Sequence, residues 1–490
     1  MKTIARLNIL LLSLAFMILL ILPTQGFAQD QDFLDYASGK TWPAHSQERT
    51  KKFSNYKFGL FVHWGLYSIP AGKWIDGRID PRAYSEQIQN HLKITFDEYS
   101  QLVDQFNPVE FDADQWISYI KSLGMKYIVI TAKHHDGFAM YDSDISDYDV
   151  MASPFKRDIM KELKEACVKH DIGLGFYYSH SRDWEHPHGF DNPRTFYPDL
   201  PRDFTKDLHK QVLEKSLPQT IELLKKYQPD VMWFDTPRGT TPEEVKLFGE
   251  AVRKYAPNCV INSRLAIESG HLAVWLEGRD RQRRAKKPID SKWELVFNEN
   301  IDYISLKDKG IPSQILHVPF ESPDSISSSY GYRLYPPHKY HTGPELITRL
   351  VKTTARGGNY LLNIGPNGKG GIPEKAQSLL DEVGAWMKIN SEAIHNTQPN
   401  PFNQLFPWGE VSYNPNTNNL YLLILRQPRE GYITIPALST KIKNLSILGS
   451  NESFTWEQKN NVIHIPLKTN KLNQVVPVLK LQLEGVFQQK

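Results

Sequence analysis

The sequence is poor in cysteine and in long apolar runs, and it has no large excess of charge. Only Cys167 and Cys259 occur among 490 residues, too few for a disulfide framework. After residue 28 no stretch approaches the roughly 20 apolar residues of a membrane-spanning helix. The formal net charge of +3 argues against binding to nucleic acid through overall charge. The composition therefore predicts a folded protein that is stabilised by its hydrophobic core alone.

The first 28 residues have the pattern of a secretory signal peptide. Lys2 and Arg6 precede the apolar run ILLLSLAFMILLILP, and small residues end at Ala28, where we expect cleavage. A retained membrane anchor is the alternative. Residues 1–28 carry two basic residues and no acidic one, so the mature net charge falls to +1. The pattern predicts a secreted or periplasmic protein without a membrane span once mature.

From about residue 57 the chain alternates short apolar runs with segments of helical period, which is typical of repeated strand–helix units. The expected strands are 57–64, 125–135, 172–180, 230–235, 259–264 and 359–365. No glycine fingerprint of a dinucleotide-binding domain opens the first unit. The pattern therefore favours an α/β fold of the (β/α)8-like TIM barrel type over an open doubly wound sheet, and we expect it to span residues 29–395.

Residues 396–490 show a different pattern. A stretch rich in Pro and Asn, HNTQPNPFNQLFPWG, is followed by alternating strands and turns, which predicts an all-β sandwich domain. Aromatic residues are sparse in these strands. This favours a module that packs on the barrel over one that binds carbohydrate.

Polar and aromatic residues stand at the carboxyl ends of the predicted strands, where barrel enzymes carry their catalytic groups. They are His63, Trp64, His134, His135, Tyr178, His180, Asp235 and Arg264. One acid at such a place could equally cap the next helix, but the convergence of so many groups on one mouth predicts a site. Aromatic rings, imidazoles and a guanidinium together suit a small polyol, because they cover its apolar face and hydrogen-bond its hydroxyl groups.

Three histidines close in sequence, His180, His186 and His188, raise the question of a metal. Their spacing matches no common zinc motif, and Pro187 argues against a helical pair. We expect neither a metal nor a cofactor.

The motifs around these residues resemble glycoside hydrolase family 29, the retaining α-L-fucosidases. The resemblance runs from about residue 40 to 395 and includes the segments KFGLFVHWGLYSIPAGKW, KHHDGFAMYDS, GFYYSHSRDWEHP, DVMWFD and GGNYLLNIGPNGKGGIP. It implies a hydrolase that removes terminal α-L-fucosyl residues from fucosylated glycans through a covalent intermediate. Asp235, at the end of DVMWFD, would be the nucleophile.

The resemblance also implies the remaining site residues. Those expected to bind substrate are His63, Trp64, Trp74, Glu86, His134, His135, Tyr178, Trp233 and Arg264. The general acid/base is expected at Glu321 in PFESPDSISSSYGYR, with Glu268, Glu277 and Glu294 as alternatives. Gln87 stands where the family frequently has a tryptophan, which leaves the contacts to the substrate open on that side.

Other functions stay open at this level. The sugar could be a relative of fucose such as L-galactose, the pocket could bind fucose without cleaving it, or the barrel could belong to a metal-dependent hydrolase. The basic run from Arg279 to Lys287 is interpreted as a solvated loop, with binding of an anionic leaving group as the alternative. The oligomeric state is not indicated by the sequence.

Overall fold

Eight parallel strands form the main sheet of the protein in a computed structural model that describes residues 44–490 except 76, 267–298, 451, 468–471 and 473–474. The strands are β1 (Phe58–Val62), β2 (Tyr127–Lys133), β3 (Gly173–Ser179), β4 (Val231–Asp235), β5 (Val260–Ile261), β6 (Ile304–Ser305), β7 (Phe320–Ser325) and β8 (Asn359–Ile364). Their order is β5-β4-β3-β2-β1-β8-β7-β6. A parallel bridge between Asn262 and Tyr303 joins the two ends of the sheet, so the strands close into a barrel. The predicted fold class is confirmed.

Helices follow most of the strands and cover the outside of the barrel. The described ones are α1 (Ala44–Ser54), α2 (Ile88–Leu92), α3 (Phe96–Ser100), α4 (Ala113–Ser122), α5 (Ile159–His170), α6 (Leu208–Gln211), α7 (Leu217–Tyr227), α8 (Pro242–Tyr255), α9 (Gly343–Ala355) and α10 (Glu374–Asn390). Their starts are fixed locally. Asp112 and Asp158 accept hydrogen bonds from the first turns of α4 and α5, and Thr241 and Thr342 form capping boxes at α8 and α9. No described helix is long and apolar enough to cross a membrane.

The inside of the barrel is filled by large side chains from several strands. The buried cluster there is Phe53, Tyr56, Phe61, Tyr127, Val129, Tyr177, Val231, Trp233, Val260, Tyr303, Tyr330 and Leu361. Phe53 comes from α1 and contacts Tyr127 and Tyr303, near the amino-terminal ends of the strands. This end of the barrel is therefore packed, and the carboxyl ends of the strands are left to form a cavity.

The carboxyl-terminal part consists of two antiparallel sheets. The sheets have the orders β9-β10-β15-β12 and β11-β14-β13, with strands β9 (Gly409–Asn414), β10 (Asn419–Ile424), β11 (Tyr432–Pro436), β12 (Ile442–Ile447), β13 (Glu457–Lys459), β14 (Val462–Pro466) and β15 (Val478–Leu483). Buried residues of both sheets, such as Leu422, Leu481, Ile435 and Ile463, share one core. The arrangement is the expected sandwich.

This sandwich makes polar contacts with the barrel. The indole of Trp386 in α10 donates a 3.1 Å hydrogen bond to the carbonyl oxygen of Val476, and Arg356 forms a 2.5 Å ion pair with Glu410 of β9. Arg356 follows α9 directly. The module thus contacts α10 and the end of α9, which do not line the cavity described below.

Candidate active site

A cavity of about 240 Å³ opens at the carboxyl ends of the barrel strands. It is lined by Phe61, His63, Tyr84, Glu86, Gln87, His134, His135, Tyr177, Arg182, Trp233, Asp235, Thr236, Pro237, Arg238, Arg264, Asp308 and Tyr330. These residues come from β1, β3 and β4 and from the loops that follow the strands. Because every strand points the same way, the side chains at their carboxyl ends converge on one place.

Asp235 is the last residue of β4, and two neighbours hold its carboxylate. The hydroxyl of Tyr177 donates a 2.9 Å hydrogen bond to Oδ2, and Nη1 of Arg264 lies 3.1 Å from Oδ1. The side chain of Asp235 keeps 15% of its surface exposed in the cavity. The carboxylate is therefore fixed in orientation and still accessible to a small ligand.

Arg264 connects two acids of the cavity wall. Its Nη2 donates to Asp308 Oδ1 and to the carbonyl oxygen of Leu306, both at 2.8 Å, while Nε donates to Ser305 Oγ at 3.0 Å. Burial lowers the pKa of the guanidinium. The charges of Asp308 and Asp235 together raise it by a larger amount, so the resulting pKa lies above its ordinary value. Arg264 is thus a fixed positive charge whose Nη1 and Nη2 each hold one carboxylate.

The histidines of the cavity are neutral, and the tautomers of His63 and His135 are defined by their hydrogen bonds. Burial lowers the pKa of His63 to about 4 and the pKa values of His134 and His135 well below the usual range. Nδ1 of His63 lies 2.7 Å from Oδ1 of Asn363, whose amide nitrogen donates to the carbonyl oxygen of Tyr330. Since an amide oxygen can only accept, Nδ1 of His63 carries the proton and Nε2 is left as an acceptor.

The same reasoning fixes His135. Its Nδ1 lies 2.7 Å from the hydroxyl oxygen of Ser179, and that hydroxyl donates to the carbonyl oxygen of Arg182 at 2.8 Å. Nδ1 of His135 must therefore be the donor, which leaves Nε2 as an acceptor. Two imidazole acceptors and one guanidinium donor suit a ligand with several hydroxyl groups.

Glu86 is a buried acid of the cavity wall. Its Oε2 accepts hydrogen bonds from the backbone N–H of Gly331 at 2.7 Å and from the hydroxyl of Ser329 at 3.3 Å. Burial raises the pKa of Glu86 to about 7 despite these donors. The group can therefore accept or donate a hydrogen bond near neutral pH.

Residues 28–392 match the model of the α-L-fucosidase family, and residues 408–482 match that of the α-L-fucosidase carboxyl-terminal domain. The chain belongs to the α-L-fucosidase family. The plasma α-L-fucosidase of Homo sapiens is 29% identical over 435 residues, which are 85% of this chain and 86% of the human protein.

Solved structures of α-L-fucosidases have the same fold. That of the enzyme from Vibrio sp. strain EJY3 superposes with a TM-score of 0.77 at 30% identity and covers 92% of this chain and 74% of its own. An enzyme from Bacteroides thetaiotaomicron, solved as a trapped covalent intermediate with 2-fluoro-fucosyl fluoride, superposes with a TM-score of 0.73. At 24% identity, over 89% of this chain and 96% of its own, it supports the fold alone. The chain is thus a family member in both of its parts.

Seven residues that the resemblance to α-L-fucosidases implied lie together on the cavity wall. They are His63, Glu86, His134, His135, Trp233, Asp235 and Arg264. The structure places the other four expected residues, Trp64, Trp74, Tyr178 and Glu321, elsewhere.

Tyr178 and Trp64 face the helices instead of the cavity. Side chains alternate along a strand, and the hydroxyl of Tyr178 donates to Gln219 of α7 at 2.8 Å, whereas its neighbour Tyr177 faces inwards. Trp64 follows His63 and is fully buried against Phe106, Phe111 and Trp116. The expectation that these two aromatic rings line the pocket is wrong, because Tyr178 lies on the outer face of β3 and Trp64, which follows β1, packs away from the cavity.

Trp74 also lies outside the cavity wall. It belongs to a short hairpin made by Lys73–Trp74 and Gly77–Arg78, and its ring stacks on Tyr99 at 6.2 Å. Trp74 therefore supports the neighbouring loops and does not contact the cavity as expected.

Glu321 faces the inside of the barrel but lies below the cavity. It is the second residue of β7, near the amino-terminal end of that strand, and it is completely buried. Its carboxyl oxygens accept hydrogen bonds from Tyr127 and Trp233. This position corrects the expected role, since a general acid/base must reach the bond to be broken. The alternatives Glu268, Glu277 and Glu294, like the basic run 279–287, lie outside the described residues.

The structure adds residues that the sequence analysis had not assigned to the site. They are Tyr84, Tyr177, Arg182, Thr236, Pro237, Arg238, Asp308 and Tyr330, together with Phe61. For Tyr177 a signal was available: Leu174, Phe176 and Tyr178 form the large apolar face that a helix covers, whereas Gly173, Gly175 and Tyr177 form the other. The prediction that the protein needs no metal stays a prediction. Within the described ranges no group of three or more His, Cys, Asp or Glu could hold a metal ion.

Proposed function

We propose that the protein is an exported, exo-acting, retaining α-L-fucosidase. The observation that carries the proposal is the carboxylate of Asp235, held by Tyr177 and Arg264 inside a small polar cavity at the mouth of the barrel. A carboxylate with fixed oxygens and an accessible face is what a glycosidase nucleophile requires.

The shape of the cavity supports exo action on one terminal sugar. Its volume of about 240 Å³ lies below the roughly 300–1,000 Å³ that is typical of pockets for drug-sized ligands. Such a cavity suits a single pyranose ring. Trp233, Phe61 and Tyr330 offer apolar surface for the ring face and the methyl group of a deoxy sugar, while His63 and His135 accept from its hydroxyl groups.

The reaction proceeds in two steps. In the first, an oxygen of Asp235 attacks the anomeric carbon while a second carboxyl donates a proton to the departing oxygen, which gives a covalent fucosyl-enzyme. In the second, the same group deprotonates a water molecule that displaces Asp235, so the configuration is retained.

The proton donor is a residue other than Glu321. Among the described residues Glu86 and Asp308 are the further acids of the cavity wall. Asp308 is paired with Arg264, whereas Glu86, with a pKa of about 7, holds a proton near neutral pH as a general acid must. Glu268, Glu277 and Glu294 remain the candidates outside the described residues, so the experiment below includes all four glutamates.

Export is supported by the amino-terminal pattern of residues 1–28 and by the similarity to a fucosidase named for its presence in plasma. Mass spectrometry of the protein recovered from the medium or the periplasm tests this part. A mature chain that begins after Ala28 is expected, and a chain that keeps residues 1–28 would contradict it.

Hydrolysis of an aryl α-L-fucoside tests the activity. The wild type should release α-L-fucose as the first product, seen by proton NMR, and Asp235→Ala should lose at least about 1,000-fold in kcat. With azide, Asp235→Ala should give β-fucosyl azide, whereas the variant that lacks the acid/base, among Glu86→Ala, Glu268→Ala, Glu277→Ala and Glu294→Ala, should give the α-azide. Initial release of β-L-fucose, turnover of an L-galactoside only, or binding of fucose without turnover would overturn the proposal.

A further inference from the structure

Glu321 occupies an unusual place for an acid, the centre of the packed barrel interior. Its Oε2 accepts a 2.6 Å hydrogen bond from the hydroxyl of Tyr127, and its Oε1 accepts a 2.7 Å hydrogen bond from Nε1 of Trp233. The hydroxyl of Tyr303 lies 3.5 Å from Oε1. No cation approaches closely enough to form an ion pair with Glu321 in the described part of the chain. Burying an acid without a neighbouring cation costs free energy, so the position of Glu321 needs a physical explanation.

Trp233, the partner of Glu321, lines the cavity and contacts two other residues of its wall. Its ring stacks on Tyr177 with a centroid distance of 5.5 Å and an interplanar angle of 20°. The guanidinium carbon of Arg264 lies 4.7 Å from the ring centre on which it packs. Tyr177 and Arg264 are the two residues that hold the carboxylate of Asp235. One indole ring therefore packs against both partners of the nucleophile.

Trp233 also shares a strand face with Asp235, two residues further along β4. The ring can rotate about its side-chain bonds unless its edge is fixed, and the N–H group at that edge is the only one that can form a directed hydrogen bond. In this structure that hydrogen bond goes to Glu321.

We propose that Glu321 is a positioning residue: it fixes the indole of Trp233 from below, and through Trp233 it aligns Tyr177 and Arg264 on the nucleophile Asp235. The inference rests on the proposed fucosidase function, since its main readout is turnover. It assigns Glu321 no contact with the substrate and no proton transfer.

The two donors explain which substitutions Glu321 should tolerate. Tyr127 and Trp233 both donate, and the two oxygens of a carboxyl accept one bond each. A glutamine can replace this pattern, because its Oε1 can accept from Trp233 while its Nε2 donates to the oxygen of Tyr127. A leucine of similar size leaves the N–H of Trp233 buried without a partner. Positioning therefore predicts that Gln is accepted and Leu is not.

The test compares Glu321→Gln and Glu321→Leu on aryl α-L-fucosides with good and poor leaving groups. Glu321→Leu should lower kcat/KM about 10- to 100-fold, equally for both kinds of substrate and mainly through kcat, which corresponds to an unsatisfied buried donor. Glu321→Gln should stay within about threefold of the wild type, and azide should not accelerate either variant. Tyr360→Phe is the matched control. It removes another buried tyrosine bond to an acid of β7, the 2.8 Å bond to Asp324, and should lower stability without changing kcat/KM.

The outcomes separate the roles. If Glu321→Gln loses as much as Glu321→Leu, on poor leaving groups above all, and azide restores turnover, Glu321 is an acid/base and the inference is wrong. Wild-type kcat/KM in Glu321→Leu with only a lower Tm would reduce Glu321 to a structural role and also overturn it. A wild type that hydrolyses no fucoside would contradict the proposed function instead, which is a different result.

A second measurement does not depend on turnover or on Glu321→Leu being folded. In a spectrum of indole 15N–1H groups, the signal that is absent from Trp233→Phe belongs to Trp233. Because a carboxyl acceptor is replaced by an amide, this signal should move upfield in Glu321→Gln. It should stay in place in Tyr360→Phe. An unmoved signal in Glu321→Gln would contradict the hydrogen bond on which the inference depends.

Discussion

The hydroxyl of Tyr177 donates a 2.9 Å hydrogen bond to Oδ2 of Asp235, whereas the hydroxyl of its neighbour Tyr178 donates to Gln219 on the other side of the barrel wall. One peptide bond thus separates a residue of the cavity from a residue of the outer helix layer. The two tyrosines form a matched pair: both are buried, and replacing either by phenylalanine removes one hydrogen bond.

Tyr177→Phe should lower kcat/KM for an aryl α-L-fucoside by about 10- to 100-fold. A hydrogen bond to a charged group contributes roughly 1.5–3 kcal/mol, and here it orients the nucleophile. Tyr178→Phe should leave kcat/KM within about twofold and lower the free energy of unfolding by about 1 kcal/mol. Steady-state kinetics and urea unfolding measure both effects. A larger loss of activity in Tyr178→Phe than in Tyr177→Phe would contradict the assignment.

Asp308 should matter because it shares Arg264 with Asp235. In Asp308→Asn the guanidinium has Asp235 as its remaining anionic partner, which binds the nucleophile more tightly in the ground state, and we expect kcat to fall about tenfold, or about 1.4 kcal/mol. Arg264→Lys should cost more, at least about 100-fold, because an ammonium cannot donate to Asp235, Asp308 and Leu306 in the planar geometry of a guanidinium. An Asp308→Asn variant with wild-type kcat, or Arg264→Lys with the smaller loss, would show that the bridge is not required.

The ionisation of Glu321 should be visible in the pH dependence of stability. Burial raises its pKa to about 7, above the roughly 4.3 of an unfolded chain. The folded state therefore binds the proton more tightly, and the resulting stabilisation is complete below the unfolded pKa and is lost as the pH rises through about 7. Between pH 6.5 and 8.5 the wild type should lose about 0.8 kcal/mol more than Glu321→Gln, which has no proton to release.

This pH window separates Glu321 from the buried histidines. The pKa of His63 is lowered to about 4, so its contribution changes between that value and the unfolded pKa of about 6.5, below the window. Glu86, with a pKa of about 7, responds in both proteins and cancels in the comparison. Urea midpoints at the two pH values give the result, and parallel curves for the two proteins would contradict it.

Asp183 should be indispensable for folding rather than for chemistry. It is completely buried and forms ion pairs with Lys133 at 2.7 Å and with Lys215 at 3.0 Å, which tie the end of β2 to the loop after β3. Burial raises the pKa of Asp183. The charges of the two lysines together lower it by a larger amount, so the resulting pKa lies well below its ordinary value. Asp183→Asn should cost about 3–5 kcal/mol, because it leaves the buried charge of Lys133 without its anionic partner, while Lys215 keeps Glu185.

Asp191→Asn is the control for this substitution. Asp191 pairs with Arg182 at 2.7 Å near the surface, and such a pair contributes about 0–1 kcal/mol. Denaturant unfolding of both variants checks the contrast. Equal losses of stability would show that the buried ion pairs of Asp183 contribute no more to the free energy of unfolding than the pair near the surface.

Most of the expected site residues that the structure places on the cavity wall share one property: their position follows from where a strand ends. His63, His134, His135 and Asp235 stand at or just after the last residue of β1, β2 or β4, and a parallel barrel brings all such ends to one mouth. No knowledge of strand register is needed for this step. The motif resemblance supplied Glu86, which lies in a short 3-10 helix, Ser85–Gln87, that no periodicity marks.

The errors have a different physical origin. Choosing Tyr178 over Tyr177 required the face of the strand, and neighbouring side chains in a strand point in opposite directions. Placing Glu321 required its height in the barrel, and that height depends on how β7 is aligned with β8, where Glu321 lies beside Asn359, the first residue of its strand. The strands β6 and β7 were not among the six predicted, because β6 spans two residues and the polar segment FESPDS of β7 lacks an apolar pattern.

The sequence by itself determined the barrel followed by a sandwich, the family, and the strand end that delivers Asp235, because hydrophobic period and short motifs are local properties of the chain. Only the tertiary structure decided that Tyr177 and not Tyr178 faces the cavity. It also decided that Tyr177 and Arg264 hold the nucleophile and that Glu321 lies beneath Trp233. Those relationships depend on the register between strands far apart in sequence, and this register is set by packing of the whole barrel interior rather than by any one segment.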